Sequence, residues 1–479
     1  MNESSAPAGR PQPLFASHEW VYSRKVKGTF RTLKWTLLWL LLGFYYVAPW
    51  FRWERGEGAP DQAFLIDMAS RRAYFLWIEI WPQEVYYLVG LLIIGAIGLF
   101  FVTALAGRVW CGFFCPQTVW TDLFLWAETL IEGDRNARMR IDRAPLSLDK
   151  AFRKVAKHGV WLFISAATGG AWILYFGDAY EVLPEVFTGR ASPTVYFLIG
   201  LFTTTTYLLA GWAREQVCIY MCPWPRFQAA MFDEDSLIVT YEAWRGEPRG
   251  KAKTGQSFEG RGDCVDCTLC HQVCPTGVDI RKGQQLACIG CALCIDACAG
   301  VMDRVGLPRG LITYDSIANQ IARQKGEPST LRPVRPRTIA YVAILALVVA
   351  VMTFSMATRS RVEINVLKDR APLFVRLTDG SIRNSYTYKV LNMERQAKTF
   401  ELSIDGIENA QLRVIGFEDE WTDLAKLPVK PDAVGSFRVL VRADRARLDG
   451  KSSDLTLVLE DKSNGAVHEY DAAFSGPAR

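Results

Sequence analysis

No Walker loop, strand-linked dinucleotide fingerprint or nucleophile triad occurs in these 479 residues. Nucleotide hydrolysis, hydride transfer through a bound dinucleotide and acyl-enzyme chemistry therefore have no motif to rest on. Histidine is scarce, four in all, and His158 has no second histidine near it with which to hold a haem. Charge is thin as well, 22% of residues against 50% hydrophobic. The formal net charge of +5 reflects a bias among loops, so nucleic acid is not implied as a partner. Residues 362–479 lack cysteine altogether and carry one histidine, His468, which excludes a thiol metal site there. The first apolar stretch starts too late and runs too long to be read as a cleaved signal peptide.

Long apolar runs are what the sequence has. A helix needs about 17–25 residues to cross roughly 30 Å of hydrocarbon. Five stretches qualify, near 33–51, 85–106, 158–177, 194–213 and 338–357. Trp35, Trp39, Trp50 and Trp53 flank the first, as residues at the headgroup level do. Basic residues next to a membrane stay preferentially in the cytoplasm. Arg24, Lys25, Lys27 and Arg31 precede the first stretch, and Arg135, Arg138, Arg140, Arg143, Lys150, Arg153, Lys154 and Lys157 lie between the second and third. The segment 178–193 has only Arg190 against Asp178, Glu181 and Glu185. The expectation is a polytopic α-helical membrane protein with five transmembrane helices, its N-terminus in the cytoplasm and everything after 357 in a periplasm.

All twelve cysteines fall on the side read as cytoplasmic. That compartment keeps thiols reduced, so metal or redox chemistry is expected rather than disulfides. Eight form two runs of C-x2-C-x2-C-x3-C: Cys264, Cys267, Cys270 and Cys274, then Cys288, Cys291, Cys294 and Cys298. With this spacing the first three thiolates of a run hold one [4Fe-4S] cubane and the fourth reaches the other. Cys264, Cys267, Cys270 and Cys298 are thus expected around one cluster, and Cys288, Cys291, Cys294 and Cys274 around the second. Short C-x2-C turns let backbone amides bond cluster sulfides while thiolates converge on iron corners. Structural zinc would instead pair two C-x2-C knuckles. His271 lies inside the first run and reads as a bystander at the cluster surface.

The other four cysteines form a quieter pattern. Cys111 and Cys115 precede Pro116, and Cys218 and Cys222 precede Pro223, so C-x3-C-P follows each even-numbered span. Residues four apart share a helix face, which lets the two sulfurs of a pair aim at one point, and proline ends the helix before it. Such thiols could bind a soft ion such as Cu(I), ligate a further cluster or act as redox dithiols. Cysteine also serves as a small apolar residue in helix packing. Met352, Met356 and Thr203–Thr206 read as helix and lipid contacts.

The domain plan has six parts. Residues 1–31 are a disordered cytoplasmic N-terminus. Residues 32–245 hold four spans and both C-x3-C-P motifs, with an apolar helix from Thr118 to Ile131 too short to span. A two-cluster ferredoxin-like insert follows at 246–315, a linker at 316–337 and the fifth helix at 338–357. Period-two alternation in RVEINV, SYTYKVL, TFELSI, QLRVI, SFRVLV and DLTLVLE makes 362–479 an all-β sandwich.

PWFRWERG at 49–56, GRVWCGFFCPQTVWTD at 107–122, CIYMCPWPRFQ at 218–228, PTGVDIR and CIGCALCIDAC together resemble the CcoG family, also called FixG or Rdx. That family's members are accessory proteins for assembly of cbb3-type haem–copper cytochrome oxidase. The resemblance implies an immunoglobulin-like periplasmic domain and a cupric reductase that turns Cu(II) into Cu(I) for the oxidase's copper centre. It also implies contact with oxidase subunits or copper-delivery proteins, an electron donor that the sequence does not identify, and membrane lipid. On this reading copper meets Cys111, Cys115, Cys218 and Cys222, and the two clusters supply single electrons. Competing expectations are a quinol-linked electron-transfer subunit resembling NapH, which the outer β domain argues against, and a non-catalytic assembly scaffold.

Overall fold

The structure is a computed structural model that describes residues 20–56, 58–251, 258, 260–448 and 450–477. The chain divides into two compact units, residues 1–352 and 353–479. The expectation of disorder for 1–19 lies outside the described residues. For 20–31 it is corrected. Tyr22 donates to Asp142 at 2.6 Å, Arg24 N–H to Gln272 O at 2.8 Å and Lys25 N–H to Asp134 at 2.9 Å. The basic residues that set the loop bias lie in a segment stitched to its neighbours, and composition does not reveal that.

In the first unit α1 (Thr29–Val47) buries Lys34, Leu38 and Leu42, a spacing of four that makes one helical face. A three-stranded sheet of β1 (Phe64–Asp67), β2 (Arg72–Phe75) and β3 (Ile78–Ile80) comes next, then α2 (Tyr86–Ala106). α3 (Pro116–Glu132) is the short apolar helix expected from 118, and packs Val119 and Leu123 on Leu38 and Leu42. α4 (Arg135–Arg143), α5 (Leu148–Ile173), α6 (Ala179–Thr188), α7 (Pro193–Thr206) and α8 (Trp224–Met231) complete this part. α5 crosses α7 closely at Gly169, where a Cβ would stand 2.9 Å from Ile199 O.

Strand β4 (Ile238–Tyr241) pairs antiparallel with β5 (Ile312–Asp315) and closes the insert, which holds α9 (Ala243–Gly246), α10 (Leu269–Gln272) and α11 (Leu293–Val305). The stretch 316–337, expected to be a linker, contains a further helix, α12 (Ile317–Gln324), capped by Ser316. Arg323 of this helix pairs with nearby Asp315 and with Glu242, which is too far away in sequence to signal it. The last helix is α13 (Pro336–Thr358).

Three of the five expected spans are long and apolar enough to cross a membrane: Pro82–Ala106, Pro193–Ala213 and Pro336–Thr358. The other two also form helices, α1 and α5, but their first turns are charged. The fold accounts for much of that charge internally. Asp122 lies 2.9 Å from Arg31 and 3.8 Å from buried Lys34. Glu132 lies 2.9 Å from Lys154 and 3.2 Å from Lys157.

Helix ends sort consistently. Asp296 of the insert accepts from Phe30 and Arg31 N–H at the start of α1, and Leu237 N–H and Tyr314 Oη donate to Leu105 and Ala106 at the end of α2. Arg335, just before α13, donates to Ala104 O at 2.9 Å. The far ends of α1 and α5 meet instead at the sheet of β1–β3, through Phe44 against Phe64 and Ile66 N–H on Tyr175 O.

The second unit is a β-sandwich. One sheet runs β10 (Gln411–Val414), β12 (Ala433–Ala443), β8 (Ile382–Asn392), β6 (Val362–Lys368), with β7 (Val375–Arg376) beside β8. The other runs β11 (Leu424–Val429), β9 (Lys398–Asp405), β13 (Ser452–Asp461), β14 (Ala466–Ser475). Alternate residues face inward, and Tyr386, Tyr388, Phe400, Leu402, Val439, Leu457 and Phe474 form the core.

Candidate iron–sulfur and thiol site

The two cysteine runs of the insert adopt matched backbone paths. Asp266 and Gly290 occupy the same place in C-x2-C and both have positive φ, 49° and 70°. Thr268 and Ala292 do the same one residue past the second cysteine, at 55° and 59°. Left-handed residues re-aim neighbouring N–H groups into a concave nest, and three non-glycine residues held there mark a functional constraint. Hydrogen bonds reach the sulfurs as this geometry requires: Val278 N–H points at Cys274 Sγ at 3.3 Å, and the amides of His271, Gly290 and Leu293 favour the thiolates of Cys270, Cys288 and Cys291.

Cys264, Cys267, Cys270 and Cys298 line one cavity, with Tyr241, Arg281 and Met302 among its other walls. Cys274, Cys288, Cys291 and Cys294 line a second, and Cys270 touches both. Among the described residues no three His, Cys, Asp or Glu side chains close on a single metal ion. The sulfurs ring hollows rather than converge on a point, and this donor set of thiols and inward-facing amides fits a polynuclear sulfide cluster. Burial pushes the thiols up, Cys270 to about 11 and Cys291 and Cys298 to about 12. Loading the cavities therefore releases protons.

The C-x3-C-P cysteines sit on two π-helical turns, Trp110–Phe114 and Val217–Met221. Each turn is closed by an N–H five residues on, Cys115 to Trp110 O at 2.8 Å and Cys222 to Val217 O at 2.7 Å. Gly107 and Arg214 hold the corresponding position ahead of each turn, with φ of 58° and 41°. The internal repeat visible in the sequence is thus also a repeat of conformation. Each of the four thiols interacts electrostatically with the other three, so the fold brings both pairs together. Burial pushes Cys111 and Cys218 up to about 12. Cys115 is also raised by burial, opposed by N–H groups of Thr118 and Gln117, because it is the N-cap of α3 with Pro116 at N1. Gln228, fully buried, accepts from Cys111 Sγ at 3.3 Å and donates to Thr103 Oγ1 at 3.3 Å.

Behind the four thiols lies a buried ion network. Glu128 meets Arg138 at 2.8 Å, Arg214 at 3.0 Å and Lys157 at 3.6 Å. Burial works against its charge, and the three cations outweigh it, leaving its carboxyl below the usual range. Beside Cys218 a small hollow is lined by Lys34, Asp122, Arg214, Glu215 and Thr276. Gln228, Arg108 and Glu128 carried no signal of their own in the sequence. The first two stand inside or beside the C-x3-C-P segments, and proximity to those motifs was the available clue. His158 donates to or accepts from Tyr207 at 2.8 Å, and Met352 packs on Gly90.

Comparison with known proteins places these features in a family. The nitrogen fixation protein FixG of Rhizobium meliloti is 47% identical over 97% of this chain and 94% of its own length. The chain belongs to the FixG/Rdx family. RdxB of Cereibacter sphaeroides is 44% identical over 98% of this chain and 99% of its own. Family models agree by region: a 4Fe-4S dicluster domain matches 213–317, a 4Fe-4S binding domain 88–136, and the IG-like fold at the C-terminus of FixG 352–477. The ferredoxin-type protein NapH of Haemophilus influenzae is 26% identical over 43% of this chain and 65% of its own. The protein is therefore a FixG/Rdx-type iron–sulfur electron-transfer protein with an IG-like C-terminal domain.

Proposed function

We propose that this FixG/Rdx protein is a membrane relay that reduces Cu(II) to Cu(I) in support of cbb3-type oxidase assembly. The observation that carries it is the juxtaposition of two four-cysteine cavities with a quartet of soft thiols, Cys111, Cys115, Cys218 and Cys222. Cys264, Cys267, Cys270 and Cys298 hold one [4Fe-4S] cluster, and Cys288, Cys291, Cys294 and Cys274 the other. When bound, the clusters supply single electrons. The chain's own residues do the rest: inward amides stabilise thiolates, Gln228 orients Cys111, and the α3 N-terminus favours a Cys115 thiolate. Copper is the substrate here, and soft sulfur ligands favour its reduced form. A cargo ion that must leave again does not need a closed cage, which suits thiols that are assembled without converging on a point.

In this reading α1, α2, α5, α7 and α13 all cross the bacterial inner membrane. The sorting of their ends supports alternating directions, and the basic loops support a cytoplasmic N-terminus and clusters with a periplasmic C-terminal domain. Partners are oxidase subunits or copper-delivery proteins and an electron donor. The partial similarity to NapH favours one second reading, a quinol-linked relay to a partner reductase. The deciding experiment is anaerobic: the reduced protein receives one equivalent of Cu(II), with cluster EPR and Cu(I) capture by a chelating dye followed together. Cluster oxidation in step with Cu(I) formation is expected. Clusters that stay reduced while Cu(II) persists would sink the copper role and leave the quinol relay.

A further inference from the structure

The two cavities are not equivalent with respect to the thiol quartet. Gly112, inside the first π-turn, lies flat on the loop of the second cavity: a Cβ there would stand 3.0 Å from both N and Cα of Cys291 and from Gly290 C. Cys111 and Cys218 pack against the apolar cluster of Val273, Ile289, Cys291, Leu293 and Ala297. Arg108 then ties three segments with one guanidinium. It donates to Leu286 O and, at 2.6 Å, to Cys288 O on the second cavity's loop, and at 2.8 Å to Pro225 O just past Cys222. Gly290, left-handed, exists in contact with this arginine, because a Cβ on it would be 3.1 Å from Arg108 Cβ. At the other cavity Cys267 is exposed, while Cys291 is buried.

Resting on the relay reading above, we propose that electrons pass in one order. They go from the cluster of Cys264, Cys267, Cys270 and Cys298, at the solvent side, to that of Cys274, Cys288, Cys291 and Cys294, and then to copper at the quartet. Arg108 is the positioning residue for the last transfer. Each transfer to copper oxidises one reduced cubane by one electron and converts one Cu(II) to Cu(I), with no proton or further reactant. The guanidinium holds the loop of Cys288–Cys291 against the π-turns. Its buried positive charge also favours the more negative, reduced state of the neighbouring cluster.

The test uses the full chain. The Cys267→Ser variant alters the EPR signal of the first cluster and so tells the two signals apart. Dithionite-reduced protein is mixed with one equivalent of Cu(II) and freeze-quenched at increasing times. The first cluster is expected to pass its electron only through the second, so Cys294→Ser, which lacks the second cluster, should keep the first one reduced; Arg108→Gln is expected to slow oxidation of the clusters by about tenfold, and Arg108→Lys to restore much of the rate. In a separate redox titration without copper, Arg108→Gln lowers the midpoint of the second cluster alone. A first cluster that Cu(II) empties as fast in Cys294→Ser as in the unaltered protein overturns the order. An Arg108→Gln midpoint that moves in both clusters or neither overturns the role of Arg108. If Arg108→Gln loses its second cluster on purification, the comparison of Cys294→Ser with the unaltered protein and the Arg108→Lys midpoint decide. If Cu(II) oxidises neither signal, the copper reading fails, and the titration still decides whether Arg108 serves the second cluster.

Discussion

At the residue scale the buried charges separate structural from redox roles. Lys398 and Asp461 in the sandwich lie 2.5 Å apart, both buried. Burial opposes the Asp461 charge, but Lys398 and Ser463 outweigh it and depress its pKa; burial likewise opposes Lys398, which Asp461 and Glu394 raise. A depressed Asp stabilises above its unfolded value and loses that contribution as pH falls through the folded value. A raised Lys stabilises below its unfolded value and loses it as pH rises through the folded one. The pair thus contributes fully between roughly pH 4 and pH 10. Asp461→Asn should cost about 3 kcal/mol, since Lys398 is left buried with only Glu394. Thermal unfolding followed by circular dichroism reads this, and an unchanged transition would show the pair to be idle. Among the cysteines, serine at any one of Cys264, Cys288, Cys291 or Cys294 should remove about half of the bound iron. Serine at Cys111 or Cys218 should leave iron content intact while abolishing Cu(I) formation; iron analysis of the purified variants separates the two groups.

At the scale of elements, the π-turns and the α5–α7 crossing govern how helices deliver the thiols. A π-turn inserts one extra residue into a helix and re-aims the side chains beyond it, so Cys111 and Cys218 meet although they follow different helices. Arg214 holds a left-handed backbone where the first repeat has Gly107, and its guanidinium lies between the rings of Trp20 and Trp161 while meeting Glu128. Glycine at 214 would relax the backbone yet strand Glu128 with fewer cations. The Gly169→Leu variant should wedge α5 from α7 and cost about 1–3 kcal/mol, read as a lower melting temperature in detergent with the cluster chromophore as probe. A melting point equal to the parent's would mean the crossing has slack that the 2.9 Å approach to Ile199 O denies.

For the whole molecule, the alternation of helix direction is the testable feature. Alkaline phosphatase fused within the outer loop near 58, or after 358, should be active, and the same reporter near 145 inactive. Activity at 145 would reverse the orientation argued from the basic loops. Because the insert is tied to the start of α1 and to the end of α2, it should resist proteolysis in membranes as one body with the helices.

The spacing of cysteines was by itself sufficient to nominate both four-cysteine groups, because C-x2-C-x2-C-x3-C is a local rule whose geometry is set within a few residues. Apolar runs and period-two alternation likewise announced helices and the sandwich. Strands β11 and β14 are sheet edges with little local signal: β11 alternates exposed and buried residues but contains Pro428, and β14 exposes Val467 while only Phe474 of it is buried. Residues 20–31 and α12 carry little local signal because their partners Asp142, Gln272 and Glu242 are remote in sequence. Part of the charge at the beginnings of α1 and α5 is paired with Asp122 and Glu132, contacts that no local pattern announces. What only the tertiary structure decided is the meeting of two distant C-x3-C-P pairs beside Cys291, with Arg108 tying them there. Contacts between segments over a hundred residues apart depend on packing that no local pattern encodes.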